Sequence, residues 1–426
     1  MPMYPYEITS RLSDLSLLDY SVQPVPGASI EDFDAVEKER LRNIVRTYHG
    51  EQNLLELSDE ELYKALQLTT SIEGKTLPTL TGMLLIGKKD RLKILVPTAE
   101  SSVQVLLGTD IKVNESFMLP LLAAFDTITG YLNAWNSSEE MEIGLYRITI
   151  PDIDAKAFRE ALVNAFCHRD YSMLGRVRVA LSDEGLTISN PGGFIEGINA
   201  KNLLEAEPHG RNPALADALK RLGLAERTGR GIDRIFEGSL HYGRLLPDYS
   251  GSTERHVSLF IPKSLPDKAF VKMLSDEHKR IGRSLPIHSL LILNALKHSR
   301  RASVHEIADE VNIGETKVKS IVESLTESGL VEASGFGRGR YYMLGSKVYK
   351  ESDDVIGYVR QTGIDKLKYQ ELILKLAKTQ GHVTRANAAE LLQISTSQAY
   401  RLLADLVSEK RLKLIGNGRY SKYIPL

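Results

Sequence analysis

FREALVNAFCHRDY, Phe158–Tyr171, spaces Glu160, Asn164 and His168 four residues apart. On a helix, residues at that spacing lie side by side, so a carboxylate, an amide and an imidazole share one stripe. Phe158, Ala161, Leu162, Ala165 and Phe166 form an apolar stripe able to dock the same helix onto a sheet. A carboxylate followed four residues later by an asparagine can orient a water and hold a hydrated magnesium ion, which is nucleotide chemistry. The plainer alternative is the solvated face of an ordinary amphipathic helix. His168, Arg169 and Asp170 close the helix and read as structural, because an imidazole at a helix C-terminus serves the dipole and the last carbonyls.

Downstream, Val177–Leu181 and Leu186–Ser189 have strand patterns, and the second runs into Asn190-Pro191-Gly192-Gly193-Phe194. Glycines directly after a strand mark a tight turn or a close backbone approach to a ligand. Further on, Thr228-Gly229-Arg230-Gly231 opens another helix, whose unpaired N–H groups and positive dipole end suit a phosphate. A plain helix-start turn would use the same residues. Between the two glycine runs lies His209-Gly210-Arg211-Asn212-Pro213, where Arg211 is either a phosphate-reaching fork or an arginine capping a loop.

In this order the segments resemble the ATP-binding fold of the GHKL superfamily, an α+β sandwich of the Bergerat type. More closely, ALVNAFCHRDYS, ISNPGGF and RNPALADALKRLGLAERTGRGIDRI look like the GHKL-type domain of Schlafen/AlbA-type DNA-binding proteins, also described as transcriptional regulators or RecG-like ATP-dependent helicases. The resemblance runs roughly from Pro24 to Pro262. It implies ATP and magnesium as cofactors, Glu160 as the water-orienting base and Asn164 as the magnesium ligand. It also implies Asn190 as the reader of the adenine amino group, and Gly192, Gly193, Thr228, Gly229 and Gly231 as nucleotide contacts, with Arg211 in the loop that closes over phosphates. The chain departs from the pattern at three places: Asn190 stands for an aspartate and so donates as well as accepts, Phe194 stands for a glycine, and Cys167 for a charged residue.

The last third has a different character. From Ser284 onward Lys and Arg exceed Asp and Glu by 6, while the remainder of the chain carries −7. Leu290–His298, Ser303–Glu310 and Gly314–Ser328 read as three helices, the second capped by Ser303 with Glu306; a strand at Leu330–Ala333 and a Gly/Arg-rich hairpin follow. The order repeats in Tyr369–Thr379, Thr384–Leu392, Ser395–Glu409, Leu412–Ile415 and Arg419–Ile424. Both units resemble winged helix-turn-helix domains, which implies DNA as partner. Lys317, Lys319, Gln398 and Arg401 would then lie on third helices, and Arg338, Arg340, Arg419 and Lys422 in the wings. Protein-binding or dimerising winged helices are the alternative, and Glu306, Glu310, Glu315 and Glu323 lend it weight.

The first 150 residues are less informative. Pro2, Pro5, Pro24 and Pro26 without strong periodicity read as an extended arm over 1–30. Helices are expected at Asp32–Gly50 and Ser58–Thr69, strands at Met83–Ile86, Lys93–Val96 and Val103–Leu107, and a long helix at Phe117–Trp135. Family members usually carry an AlbA-like domain ahead of the ATPase-like one, and no complete one is recognisable. Gly82–Lys89 mimics a P-loop, but Lys89 stands where the magnesium-binding hydroxyl belongs and the middle is apolar, so a P-loop helicase is rejected.

Composition agrees with this outline. A chain of 426 residues that is 42% hydrophobic can build several cores. Its one cysteine excludes an intrachain disulfide and a multi-cysteine zinc site, and a cytoplasmic protein without a membrane segment is expected. The expected organisation is an α/β region over 31–140, the GHKL-like domain over 141–265, and winged helices over 284–348 and 364–426. The function expected is an ATP-responsive, DNA-binding transcriptional regulator, a homodimer in one version. The alternatives are a DNA-binding or dimerising protein with a degenerate GHKL-like domain, and a true ATPase with Glu160 as base.

Overall fold

The computed structural model describes residues 4–15, 17–143, 146–207, 209–226, 229–335, 340–345, 369–378, 380–392, 394–415 and 422–425. The chain divides into two compact units, Met1–Pro266 and Asp267–Leu426.

The first unit opens with helix α1, Pro5–Asp14, where an extended arm was expected. Pro5 does not oppose it, because a proline at the first helical position gives up only an N–H that has no partner anyway. Helices α2 (Ala35–Thr47) and α3 (Asp59–Ala65) follow, the latter opened by a capping box of Ser58 and Glu61. A two-stranded ribbon, β1 (Thr69–Ile72) with β2 (Lys75–Pro78), leads to α4 (Leu80–Ile86) and α5 (Lys89–Leu95). Met83–Ile86 and Lys93–Val96, expected as strands, therefore belong largely to helices. Every residue of α4 is buried, so it has no polar face to reveal a helical period, and a short all-apolar run reads like a strand. The P-loop-like segment is thus mostly helix, and the phosphate cradle remains excluded.

The site rests on one five-stranded sheet of order β4-β3-β7-β8-β9. Its strands are β3 (Ser101–Leu107), β4 (Asp110–Phe117), β7 (Val177–Leu181), β8 (Gly185–Pro191) and β9 (His256–Pro262). β3 runs parallel to β7, and every other neighbouring pair is antiparallel. The sheet therefore takes strands from both sides of residue 141. Between β4 and β7 lie α6 (Leu121–Trp135), the ribbon β5 (Ser138–Ile143) with β6 (Tyr146–Pro151), and α7 (Ala155–His168). β4 takes Phe117, the first residue of the helix expected at 117–135, and Pro120 precedes the helix that does form.

Along β7, Val177, Val179 and Leu181 are buried while Arg178 is exposed, the alternation of a sheet with one packed face. α6 and α7 cover that face. α7 starts at Asp154, whose side chain accepts from the backbone N–H groups of Lys156 and Ala157 at 2.9 Å each. Its apolar stripe is buried as expected. α8 (Pro213–Arg221) and α9 (Gly231–Leu240) follow β8 and complete the layer beside α7.

The second unit begins with α10 (Lys268–Ile281) and continues in α11 (Ile287–Ser299), α12 (Val304–Val311) and α13 (Glu315–Glu327). Strands β10 (Val331–Ser334) and β11 (Tyr341–Leu344) pair antiparallel and pack on α13 and α11 respectively. The expected capping box of Ser303 and Glu306 is present. Further along come a helical stretch at 369–378, α14 (Arg385–Leu392), α15 (Thr396–Ser408) and the antiparallel pair β12 (Leu412–Ile415) and β13 (Lys422–Pro425). They enclose a core of their own, with Ile373, Ala377, Ala388, Leu403, Leu412 and Tyr423 among its members. No described helix is long and apolar enough to cross a membrane.

Candidate functional site

The inner face of β8 and β9 forms the floor of a cavity walled by α7, the end of α8 and the start of α9. Register brings Ile188 opposite Leu259 and Asn190 opposite Val257, and all four line the cavity. It encloses about 220 Å3, more than ten times the roughly 10–15 Å3 that a single water needs. Glu160, Asn164 and His168, the stripe read from α7, all face into it.

Glu160 is buried rather than solvated, and the backbone N–H of Glu226 donates to its Oε2 at 3.3 Å. Burial pushes its carboxyl pKa up, against that hydrogen bond and the nearby positive charges of Arg159 and Lys220. Gly231 lies so close that a Cβ there would strike Glu160 Oε1, which explains the glycine. Asn164 is half-buried, and no described residue hydrogen-bonds its amide. Asn190 is buried at the end of β8 and lines the cavity; its Nδ2 donates to the Pro191 carbonyl at 3.1 Å, which leaves Oδ1 available as an acceptor. That assignment of oxygen and nitrogen follows the hydrogen-bond geometry.

Gly193, Gly229 and Gly231 line the cavity too, and Thr228 lies outside the described residues. Gly192 and Arg211 do not line it. Gly192 adopts φ +92°, and the Arg211 guanidinium fills the space a Cβ would need. Arg211 is buried and ion-paired with Asp14 of α1, and its Nη1 donates to the His168 carbonyl at 3.3 Å. Its fork is therefore occupied by protein, contrary to a phosphate-facing arginine. His209 and Gly210 from the same loop do reach the cavity.

His168, Arg169 and Asp170 have the surroundings of structural residues. Arg169 is fully buried and donates to the carbonyls of Asp170 and Gly175 at 2.5 Å each. Asp170 accepts from the Ser172 backbone and hydroxyl. His168 is held well below its ordinary value, at about 4, by burial and by the positive charges of Arg211 and Lys220. Burial and the neighbouring Glu160 raise the Cys167 thiol to about 12, so this cavity-lining cysteine is an un-ionised apolar wall.

Lys220, Tyr249 and Asp233 also line the cavity, and sequence spacing did not single them out. Tyr249 stacks at a tilt on Phe194, ring centroids 6.1 Å apart. Phe194 thus lends a hydrophobic wall where its resemblance implied a glycine.

On the second unit, Lys317 and Lys319 lie exposed on α13, and Lys317 Nζ meets His288 Nε2 at 3.2 Å. Arg340 is exposed and stacks over Tyr342, 5.3 Å from the ring centroid. Arg401 on α15 and Lys422 on β13 are exposed. Gln398 caps α15, its Oε1 accepting from the Ser395 backbone N–H at 3.1 Å, so its side chain is committed within the helix start. Arg338 and Arg419 lie outside the described residues.

Residues 175–261 match the family model "Putative ATP-dependent DNA helicase recG C-terminal". This RecG-like ATPase-type segment spans β7 to β9, with Asn190 and the glycines, and begins just after α7. Residues 287–332 match a winged helix-turn-helix DNA-binding model, covering α11 to β10. Residues 11–102 match a domain model of unknown function. The chain therefore joins an ATPase-like domain to a winged-helix DNA-binding domain. No curated protein matches it. Among solved structures, the DIP2311 protein from Corynebacterium diphtheriae aligns with a TM-score of 0.62 at 19% identity, over all of this chain and 73% of that one. That likeness is one of fold.

Proposed function

We propose that the chain is an ATP-responsive DNA-binding regulator. The observation that carries this reading is the convergence of Glu160, Asn164, Asn190, Gly193, Gly229 and Gly231 on one cavity. They come from α7, the end of β8 and the start of α9, three elements remote in sequence.

In this reading adenine lies against Ile188, Leu259 and Tyr249, and its amino group donates to Asn190 Oδ1. With one of its two amide N–H groups on the Pro191 carbonyl, Asn190 still offers Oδ1 as an acceptor. No group of three or more His, Cys, Asp or Glu among the described residues could hold a metal by itself. Magnesium characteristically takes one or two protein oxygens and completes its shell with phosphate oxygens and water, so the Asn164 amide, without a hydrogen bond among the described residues, fits it. Bound there, it would neutralise phosphate charge. Glu160, buried and with a raised pKa, is placed to orient a water and take its proton.

Binding without efficient turnover is a second reading, favoured by Arg211. Its capture by Asp14 withholds the cation that would stabilise charge on a terminal phosphate. On the DNA side we assign α13 and α15 as the groove-facing helices of two winged units, 284–348 and 364–426. Lys317, Lys319 and Arg401 are the contacts on those helices, with Arg340 and Lys422 in the wings. We further propose that nucleotide occupancy changes DNA affinity.

Calorimetric titration of wild type and Asn164→Ala with ATP and magnesium tests the site. Binding in wild type that the variant loses supports it. No binding in wild type would turn this domain into a scaffold or dimerisation platform and leave DNA binding as the activity.

A further inference from the structure

The cavity contains a cation that the proposed mechanism does not use. Among the described residues lining it, Lys220 is the one lysine or arginine, against the carboxylates of Glu160, Glu207, Glu226 and Asp233. α8 aims it inward: Ala216 and Lys220, four residues apart, both line the cavity, while the adjacent Arg221 turns away to Glu51, 2.9 Å from Nε, and to the Ala65 carbonyl. Arg221 therefore serves the protein's own carbonyls and carboxylates at this helix end, and Lys220 does not. Among the described residues it has no hydrogen bond or ion pair, although it is half-buried.

Arg159, near Glu160, stacks over the Tyr48 ring outside the cavity lining, 5.4 Å from its centroid, and three other arginines are ion-paired. Arg230 pairs with Asp233 at 3.0 Å, Arg234 with Glu237 at 2.9 Å, and Arg211 with Asp14. Lys220 also lies close enough to Glu160, Cys167 and His168 for its charge to be felt at all three, which places it along the α7 wall. An ammonium that faces a cavity and, among the described residues, makes no hydrogen bond or ion pair with its carboxylates is placed for an anionic ligand.

We infer that Lys220 contacts the phosphates of the bound nucleotide and makes this site prefer phosphorylated ligands over the bare nucleoside. The inference rests on the cavity being a nucleotide site. A lysine suits the task as a compact point charge on a flexible stem, able to follow a phosphate chain where a planar fork would need fixed geometry.

The test is calorimetry of the full chain with adenosine, ADP and ATP, each with magnesium, on wild type, Lys220→Met, Lys220→Gln and Lys220→Arg. We expect wild type to bind ATP more tightly than adenosine. Lys220→Met and Lys220→Gln should cut ATP affinity roughly 10- to 100-fold, the range of one charge-assisted hydrogen bond, and leave adenosine affinity unchanged. Lys220→Arg should restore most of the loss. If Lys220→Met and Lys220→Gln keep the wild-type ratio of ATP to adenosine affinity, or if wild type has no such preference, Lys220 is not a phosphate ligand, while adenosine binding preserves the site itself. If wild type binds none of the three, the inference and the nucleotide reading fall together. Adenosine binding by Lys220→Met and Lys220→Gln serves as the control that each variant is folded.

Discussion

At the scale of single residues, the cavity is built from atoms that leave no slack. Gly231 sits where any side chain would collide with Glu160. Gly231→Ala should displace the Glu160 carboxyl or the start of α9, costing about 1–3 kcal/mol in stability by overpacking and weakening nucleotide binding. Urea unfolding and calorimetry read the two losses. His168 gives a pH signature. In the unfolded chain it takes up a proton near 6.5, whereas in the folded protein it resists down to about 4. Its contribution to stability is therefore complete above pH 6.5 and is lost as the pH falls from 6.5 through 4. His168→Gln should flatten the melting temperature against pH across that window, and an unchanged slope would show that His168 is not the group responsible. If the cavity takes adenine, Asn190 would meet its amino group through Oδ1, since the Pro191 carbonyl engages one of the two N–H groups that an aspartate would lack.

At the scale of elements, helix α1 is held by polar groups. Ser10 donates to Asp170 at 2.5 Å, Arg11 meets Glu196 at 2.7 Å, and Asp14 pairs with Arg211. Asp14→Ala strands a buried guanidinium, and we expect a loss on the order of 2–3 kcal/mol, below that of a fully buried pair because Asp14 is partly exposed. Arg11→Ala, at an exposed pair, should change stability by under about 1 kcal/mol. Thermal melts of the two variants make the comparison. α1 escaped notice in the sequence because its early prolines suggested an extended arm. α4 escaped because burial on every side erased its period. α7, by contrast, was legible from its two stripes, and β7 and β8 from their alternation and the turn between them. The cavity was legible where neighbours in sequence are neighbours in space, as along α7. It was illegible where the wall arrives from afar: Lys220 and Tyr249 belong to it only through the packing of α8 on α7 and the approach of the loop before β9. Arg211 showed the reverse failure, since its spacing allowed a phosphate contact and only the fold revealed Asp14 beside it.

At the scale of the molecule, opposite charge is segregated, with −7 before Ser284 and +6 after it. If the basic part carries the DNA contact, Lys317→Ala with Lys319→Ala should lower affinity for all sequences and reduce the salt slope of log K by about 2. An unchanged slope would remove α13 from the interface. Coupling between nucleotide and DNA should appear as a shift of about 5- to 150-fold in DNA affinity on adding ATP and magnesium, mirrored by an equal shift in ATP affinity on adding DNA. Fluorescence anisotropy in both directions checks the reciprocity, and a one-sided effect cannot be equilibrium linkage.

The parallel pairing of β3 with β7 sets Ser101 beside Val177, 76 positions later in the chain. During synthesis at roughly 5–20 residues per second, β3 waits about 4–15 s for this neighbour to be made. Until then β3 and β4 present an unpaired edge to whatever else is in the cell. α6 is made within that interval and packs against β3, so it can shield the nascent ribbon before the sheet closes. A gene cut near residue 141 would leave that edge permanently open on one fragment and β7 bare on the other. The chain's solubility on expression is thus set by where it is divided as much as by what it contains.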